Sequence, residues 1–565
     1  MNDTTRADRP VSDRTLILLI SLSIFLGFFH TLFFTFIFDD HPQILDSPYL
    51  SAPYIPEYFV RPLNANYYRP VFMLYCFIIK SLFALNSVFW HLSVVLIHAA
   101  VAVLFYGVVR RLAADPYVAA MAALIFAFHP GRVESVAWVS GVTDPLLAFF
   151  VLSAFYCYLR GVDTERKVFL GFALLLHAIA LLAKEPPVML PAIVAIHGYL
   201  TIPALAVKQR VQQAFRAAAP FIVTTAMYLL ARILILRGLG HPVTEMSLTV
   251  MVLTWPKVLW FYVRHYLWPF TLSPFYDIHE VSGFADRGLW LPLAGVAAVL
   301  AGITLLQRRF GSAVSLFGLL WFAIFVVPVL NIRIFNHADI VHDRYLYLPS
   351  MGLALVAALV IRRLPVPGAL PLRPFVLKLV VAMIIVSALV TSSFAQSQFY
   401  RTDLLFYFRG WSVSPDSEVA GMNLGVEMLR RGKGEEAFGL FDRVVRNNPH
   451  NWMGHYNMGY LMYLTGNHAV AERELKQVLA LNDHYAPAHG YLALTLLALK
   501  RPQEALQEAQ KAIRLVPNES SYYVSQGLAQ EAIGDRNAAA GSLRTALRLR
   551  PQYPEAAAAL SRISK

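Results

Sequence analysis

From residue 16 to about residue 395 the chain alternates long apolar runs with short polar loops. The first run, residues 16–38, carries no charge and is long enough to span the hydrocarbon core of a bilayer as a helix. Two adjacent carboxylates, Asp39 and Asp40, follow it directly. Unpaired acids at a membrane face are costly to desolvate and do nothing for insertion, so the pair reads either as a solvated helix-ending turn or as a site. Lys and Arg fall before the first run (Arg6, Arg9, Arg14) and then in alternate loops, at residues 110–111, 160–167, 208–216, 308–309 and 362–363. The excess of basic residues in cytoplasmic loops places all of these inside. No small-residue cleavage site follows the first run, which therefore reads as a retained signal anchor. Residues 255–270 are helical in length but carry Lys257, Arg264 and His265 among three tryptophans and two tyrosines, and residues 71–85 contain Lys80. Both segments are predicted to lie in the interface. The pattern gives about eleven crossings, with the N-terminus inside and the C-terminal region outside.

From about residue 418 the hydrophobic period changes. Small residues recur at Gly425, Gly459, Ala493 and Gly527, each 34 residues apart, with Ala437, Ala471, Ala505 and Ala539 in phase and Pro449, Asp483, Pro517 and Pro551 at the turns. This is the tetratricopeptide pattern: small residues let paired helices approach, and proline stops the second helix of each unit. The fold class is all-α, a polytopic membrane domain followed by a four-repeat α-solenoid. The expected divisions are a tail at 1–14, a membrane domain at 15–395, a linker at 396–417 and the array at 418–565, in which residues 554–565 form a capping helix. Tyr400, Phe406, Tyr407 and Trp411 predict that the linker lies near the interface. The groove of such an array usually holds peptides or protein segments.

Composition agrees with a membrane chain, 57% of residues being hydrophobic and 15% charged. The net charge of +13 sits mainly in short loops between apolar runs, so it reports topology, and no nucleic-acid partner is expected. The two cysteines, Cys76 and Cys157, lie in apolar stretches and imply neither a disulfide framework nor a zinc site. The predicted outer loops (FDDHPQIL, NANYYRP, HPGRVESVAWVSGVTD, KEPP and NHADIVHDRYLYLPS) combine acids, histidines, arginines and aromatic residues, whereas the inner loops are short and basic. A cavity facing the outer side is where a reaction is expected.

Seven stretches in order, FDD at 38–40, YRPVFMLYCF at 68–77, WHLSVVLIHAAVAVLFY at 90–106, HPGRVESVAWVSGVTD at 129–144, KEPPVMLP at 184–191, PFTLSPFYD at 269–277 and RYLYLPSMG at 344–352, end in the repeat array. Together they resemble the transmembrane and tetratricopeptide-repeat containing family of protein O-mannosyltransferases, in the GT-C glycosyltransferase superfamily. The resemblance implies an enzyme that moves a sugar, mannose or another hexose, with inversion from a polyprenyl-phosphate carrier to Ser or Thr hydroxyls of extracytoplasmic proteins, the repeat groove binding the acceptor. It also implies that an aspartate of the first outer loop is the base, here Asp40 or Asp39, with Asp40 favoured because it lies further from the apolar run.

In such a reaction a carboxylate takes the acceptor proton, and Arg or Lys must meet the charge of the departing phosphate. The candidates are Arg69, Arg132, Lys184, Arg264 and Arg344, and His129, Glu134, Trp138 and Asp144 are candidate acceptor or sugar contacts. No metal is expected, although Asp39, Asp40, His129 and Glu134 are residue types that could in principle hold a divalent ion. Each has a structural alternative: Arg69 snorkelling at a helix start, Arg132 and Glu134 as an exposed ion pair, Lys184 at a helix end, Arg344 paired with Asp343, Asp144 as a helix cap, His129 and Trp138 as interface anchors. Membrane lipids complete the expected partners. The compact array and the lack of a cysteine-rich outer domain point to a bacterial inner membrane. Transfer to a glycolipid or surface polysaccharide, and a non-catalytic membrane scaffold, are the competing functions.

Overall fold

The computed structural model describes residues 11–51, 53–62, 67–201, 206–238, 246–335, 339–365 and 374–564. Arg6 and Arg9 of the tail lie outside them. The described residues form helices and connecting turns, with no β-strand.

Local chemistry sets the helix ends. Ser12 accepts from the Thr15 N–H to open the helix Asp13–Phe28, and Asn86 caps Ser87–Ala113 in the same way. Asp115 accepts from two backbone N–H groups at the start of Pro116–Phe128, whose first residue is a proline with no N–H to orphan. Among the described residues, seven helical stretches are long and apolar enough to cross a bilayer: Asp13–Phe33, Ser87–Ala113, Val139–Thr164, Val207–Leu236, Arg287–Arg309, Ala313–Leu330 and Phe375–Tyr400. The chain is a multi-pass membrane protein. Reaching the expected eleven crossings requires shorter helices such as Pro116–Phe128, Lys167–Ala183, Leu190–Leu200 and Ser350–Arg363 to be counted as well. The two segments expected in the interface form Pro70–Phe83 and Leu248–Leu267, and neither is among the seven.

Two short stretches matter most for the site. Residues 129–142, between Pro116–Phe128 and the long helix Thr143–Thr164, are almost wholly buried and fold as three single turns. Gly141 closes that path against itself: a Cβ there would lie 2.5 Å from the Glu134 carbonyl oxygen. The helices Ala313–Val326 and Ser350–Arg363 touch backbone to backbone at Gly318 and Gly352, and a Cβ on Gly318 would lie 2.8 Å from the Gly352 carbonyl oxygen.

The chain separates into two compact units, dividing between Arg409 and Gly410, inside the helix Asp403–Val413. The division therefore falls within the expected linker. Its aromatic residues differ from expectation, because Tyr400, Phe406 and Tyr407 are buried, with Phe406 and Tyr407 against Phe38 and Phe275, instead of facing a lipid interface. Burial against other rings removes more apolar surface from water than an interfacial position would.

The second unit is four helix pairs, Glu418–Arg430 with Gly434–Asn447, Trp452–Leu464 with His468–Leu481, Ala486–Ala498 with Pro502–Leu515, and Ser520–Ile533 with Arg536–Leu549, followed by Pro554–Ser564. The 34-residue period is a packing period. Gly425 faces Phe441, Gly459 faces Leu475 and Gly527 faces Leu543, each partner lying sixteen residues on in the second helix of its pair. A Cβ on Gly425 would sit 2.4 Å from the Phe441 ring. The in-phase alanines at 437, 471, 505 and 539 are fully buried.

The Gly318–Gly352 contact leaves no room for a side chain. Gly352→Leu is expected to destabilise the membrane unit by about 1–3 kcal/mol or more through overpacking, read as a lower thermal midpoint of the full-length protein in detergent, while Gly302→Leu, at an open position, leaves it unchanged.

Candidate active site

A cavity of about 560 Å³ lies in the first unit, lined by residues from the turn after the first helix, from 138–147, from 184–189, from the helix Val207–Leu236 and from 325–349. Four cations, Arg69, Lys184, Arg232 and Arg344, face it with three carboxylates, Asp39, Asp144 and Glu185. Leu147, Val188, Leu229, Phe325, Val329 and Phe335 supply an apolar wall.

Each cation is held by an acid from a distant part of the chain. Arg344 donates from a guanidinium nitrogen to Glu134 at 2.8 Å and from its backbone N–H at 2.9 Å, and its guanidinium lies 5.0 Å from the centre of the Trp138 ring. Lys184 donates to Asp144 at 2.5 Å. Arg69 and Arg232 share Glu185, at 3.0 and 3.2 Å, and Arg232 also donates to the Tyr228 hydroxyl. Burial alone would raise the Glu185 carboxyl, but the two guanidinium charges outweigh it and hold the group down at about 2. Burial pulls the Lys184 ammonium below its ordinary value, against the opposing charge of Asp144.

The acid pair is divided by its surroundings. Asp39 is half-buried and lines the cavity. Burial raises its pKa, opposed by the charges of Arg344 and His342. Asp40 is fully buried and does not line the cavity. Its carboxylate accepts from the Ile37 N–H at 3.0 Å, the Ser140 N–H at 2.8 Å and the Ser140 hydroxyl at 2.5 Å. Burial outweighs these donors and pushes it up to about 7. The expectation that favoured Asp40, drawn from its distance along the chain, does not match this placement: the turn folds the second acid inward and the first one outward.

The other expected residues separate in the same way. Trp138 and Asp144 line the cavity, and the Trp138 indole N–H and one Asp144 oxygen are buried with no hydrogen-bond partner among the described residues. Arg132 is buried behind the wall, beside Phe126 and Tyr347, and its guanidinium nitrogens have no acceptor among the described residues; burial lowers its pKa to about 10. Arg264 is exposed on the helix Leu248–Leu267 and does not reach the cavity. His129 donates or accepts through both ring nitrogens, to the Tyr266 carbonyl and from the Gly131 N–H, so it holds the loop and has no nitrogen left for an acceptor. Glu134 is buried and serves Arg344 instead of forming an exposed pair with Arg132. Asp343, the other suggested partner of Arg344, accepts from the Tyr276 hydroxyl at 2.6 Å and is pushed up to about 8 by burial and by the Glu134 charge. Asp39, Asp40, His129 and Glu134 do not converge, and among the described residues no group of three or more His, Cys, Asp or Glu is placed to hold a metal ion.

Arg232, Glu185, Tyr345 and Gln43 also face the cavity and were not singled out from the sequence. Arg232 carried a signal, being a charge inside the apolar stretch 220–236. Glu185 lay beside Lys184, but its two partners sit 116 and 47 residues away.

The depressed Glu185 carboxyl contributes stability that is present above about pH 4.5 and is lost as pH falls toward 2. Glu185→Gln is expected to cost about 1–3 kcal/mol at pH 7, between the exposed and buried cases, and the difference from wild type should shrink over that acid window in thermal melts.

A family profile described as tetratricopeptide repeat matches residues 456–520. A protein O-mannosyl-transferase of Caenorhabditis elegans is 22% identical over 464 residues, covering 77% of this chain and 63% of that protein. Protein O-mannosyl-transferase Tmtc3 of Drosophila melanogaster is 23% identical over 538 residues, 81% of this chain and 58% of that protein. Human protein O-mannosyl-transferase TMTC2 is 33% identical over 148 residues, 25% of this chain and 18% of that protein. The chain spans less than two thirds of the length of these relatives. A crystal structure of MamA protein is 22% identical and covers 28% of this chain and 86% of its own, with a TM-score of 0.25. By its relatives and its repeats, the chain is similar over most of its length to the membrane-embedded, tetratricopeptide-repeat family of protein O-mannosyl-transferases that its outer-loop motifs resemble.

Proposed function

We propose that the protein is a membrane glycosyltransferase that moves a hexosyl group from a polyprenyl-phosphate to Ser or Thr hydroxyls of proteins, with inversion at the anomeric carbon. The observation that carries this reading is the cavity that Asp39 lines together with four cations and an apolar wall. The names of the relatives agree with it.

An acceptor hydroxyl is a poor nucleophile until its proton is removed. Asp39 takes that proton as the hydroxyl oxygen attacks the anomeric carbon, and the bond from that carbon to the phosphate oxygen breaks. The phosphate leaves with an additional negative charge. Arg344, Lys184, Arg69 and Arg232 meet that charge from positions already set by Glu134, Asp144 and Glu185, so little reorganisation is needed at the moment of reaction. These side chains supply the charge compensation, so the reaction is written without a metal. The Trp138 N–H and the Asp144 oxygen that have no partner among the described residues suit sugar hydroxyls, and the apolar wall suits the first isoprene units of the carrier. The repeat groove is the natural holder of an acceptor polypeptide. Basic loops inside would place the N-terminus in the cytoplasm, and the cavity and the array on the outer side.

The test is transfer by the purified full-length protein from a radiolabelled polyprenyl-phosphate hexose to extracytoplasmic proteins. Asp39→Asn is expected to lower turnover about 10²-fold or more, the usual contribution of a positioned base. Full activity in that variant would sink the mechanism, and label entering glycolipid or polysaccharide alone would move the acceptor to another class.

Turnover should also fall on acidification at a pH above the ordinary aspartate value of about 3.9, because burial raises the Asp39 carboxyl and only its ionised form accepts a proton. A pH–rate profile of the wild type checks this.

A further inference from the structure

The turn that presents Asp39 is held from two sides, and only one side belongs to the cavity wall. Phe38, the residue before Asp39, adopts φ of +49°, in the left-handed region that strains a residue with a Cβ. Its N–H donates to one oxygen of Asp403 at 2.8 Å. The other Asp403 oxygen lies 2.9 Å from the His41 Nε2. Asp403 thus bridges the residue before the acid pair and the residue after it. The neighbouring backbone adds a second anchor, since the Thr35 N–H and hydroxyl both meet the Arg401 carbonyl, at 3.2 and 3.0 Å. The Phe38 ring is enclosed by Trp138, Phe275, Phe406 and Tyr407. On the far side, Asp40 ties the same turn to Ser140.

We propose that Asp403 is a positioning residue for the transfer reaction, clamping Phe38 and His41 so that the turn between them holds Asp39 toward the cavity and Asp40 toward the core. Asp403 lies 364 residues after Asp39, outside every stretch of the outer-loop pattern, and does not itself line the cavity. Without the clamp the Phe38 backbone loses the acceptor that offsets its left-handed conformation. Relaxation of φ to negative values then rotates the following peptide, and with it the direction of the Asp39 side chain. The proposal rests on the reading of Asp39 as the base, but the geometry it asserts is measurable without turnover.

Two readouts on the full-length protein test it: kcat and donor KM for transfer, and the rate at which Asp39 is modified by dicyclohexylcarbodiimide, read by mass spectrometry of the peptide that carries it. Burial raises the Asp39 carboxyl, the direction that favours the protonated form with which that reagent reacts. Asp403→Ala is expected to lower kcat about tenfold to a hundredfold, the effect of a small misplacement, with donor KM unchanged and Asp39 labelling several-fold slower. Asp403→Asn keeps an oxygen for the Phe38 N–H and should recover most of both. Wild-type kcat and labelling in Asp403→Ala would overturn the proposal, as would equal losses in the Ala and Asn variants. Should Asp403→Ala fail to fold, His41→Leu, on a side chain 42% exposed, frees one of the two carboxylate oxygens: slower Asp39 labelling supports the clamp and unchanged labelling overturns it. A wild type that transfers no sugar, yet whose Asp39 labelling depends on Asp403, would leave the clamp standing and remove the glycosyltransferase reading.

Discussion

The membrane unit depends on the pairing of buried charges. Removing an ion from water costs several kcal/mol, and the cost is offset only where a partner of opposite sign sits in good geometry. Around the cavity each cation meets that condition through an acid on another stretch of chain: Glu134 for Arg344, Asp144 for Lys184, and Glu185 for Arg69 and Arg232. The pairs therefore do two jobs, joining distant loops and holding cationic groups beside an apolar space. Arg132 is the exception, a buried guanidinium with no acceptor among the described residues.

The same constraint separates two identical neighbours. Asp39 and Asp40 share a residue type and adjacent positions, but a turn with Phe38 at φ of +49° sends them in opposite directions. Asp40 becomes a core acceptor for Ile37 and Ser140, and Asp39 lines the cavity within the field of the Arg344 charge. Strain of this kind persists only where the surroundings over-determine it. Here they do so through Asp403, the aromatic rings about Phe38 and the Ser140 anchor.

The repeat unit follows a simpler logic. A small residue in each first helix receives a large one from the second, and fully buried alanines recur in phase with it. Because each unit repeats the same short-range contact, the stack extends without long-range electrostatic pairing.

These differences explain what could be read in advance. The apolar runs, the helix caps and the 34-residue period are local or periodic, and the sequence by itself determined an all-helical chain with a membrane part and a repeat array. It also marked Asp39, Arg69, Lys184, Arg344, Trp138 and Asp144, because charged and aromatic residues beside apolar runs are costly and conspicuous. Arg264 and His129 carried the same mark and proved to be an exposed side chain and a loop staple. Only the tertiary structure decided which acid faces the cavity, that Glu134 belongs to Arg344 and not to Arg132, that Arg232 lines the same cavity and that Asp403 meets both Phe38 and His41. The reason is physical: residue type reports how expensive a group is to bury, whereas the partner that offsets the expense lies tens to hundreds of residues away and is chosen by the fold.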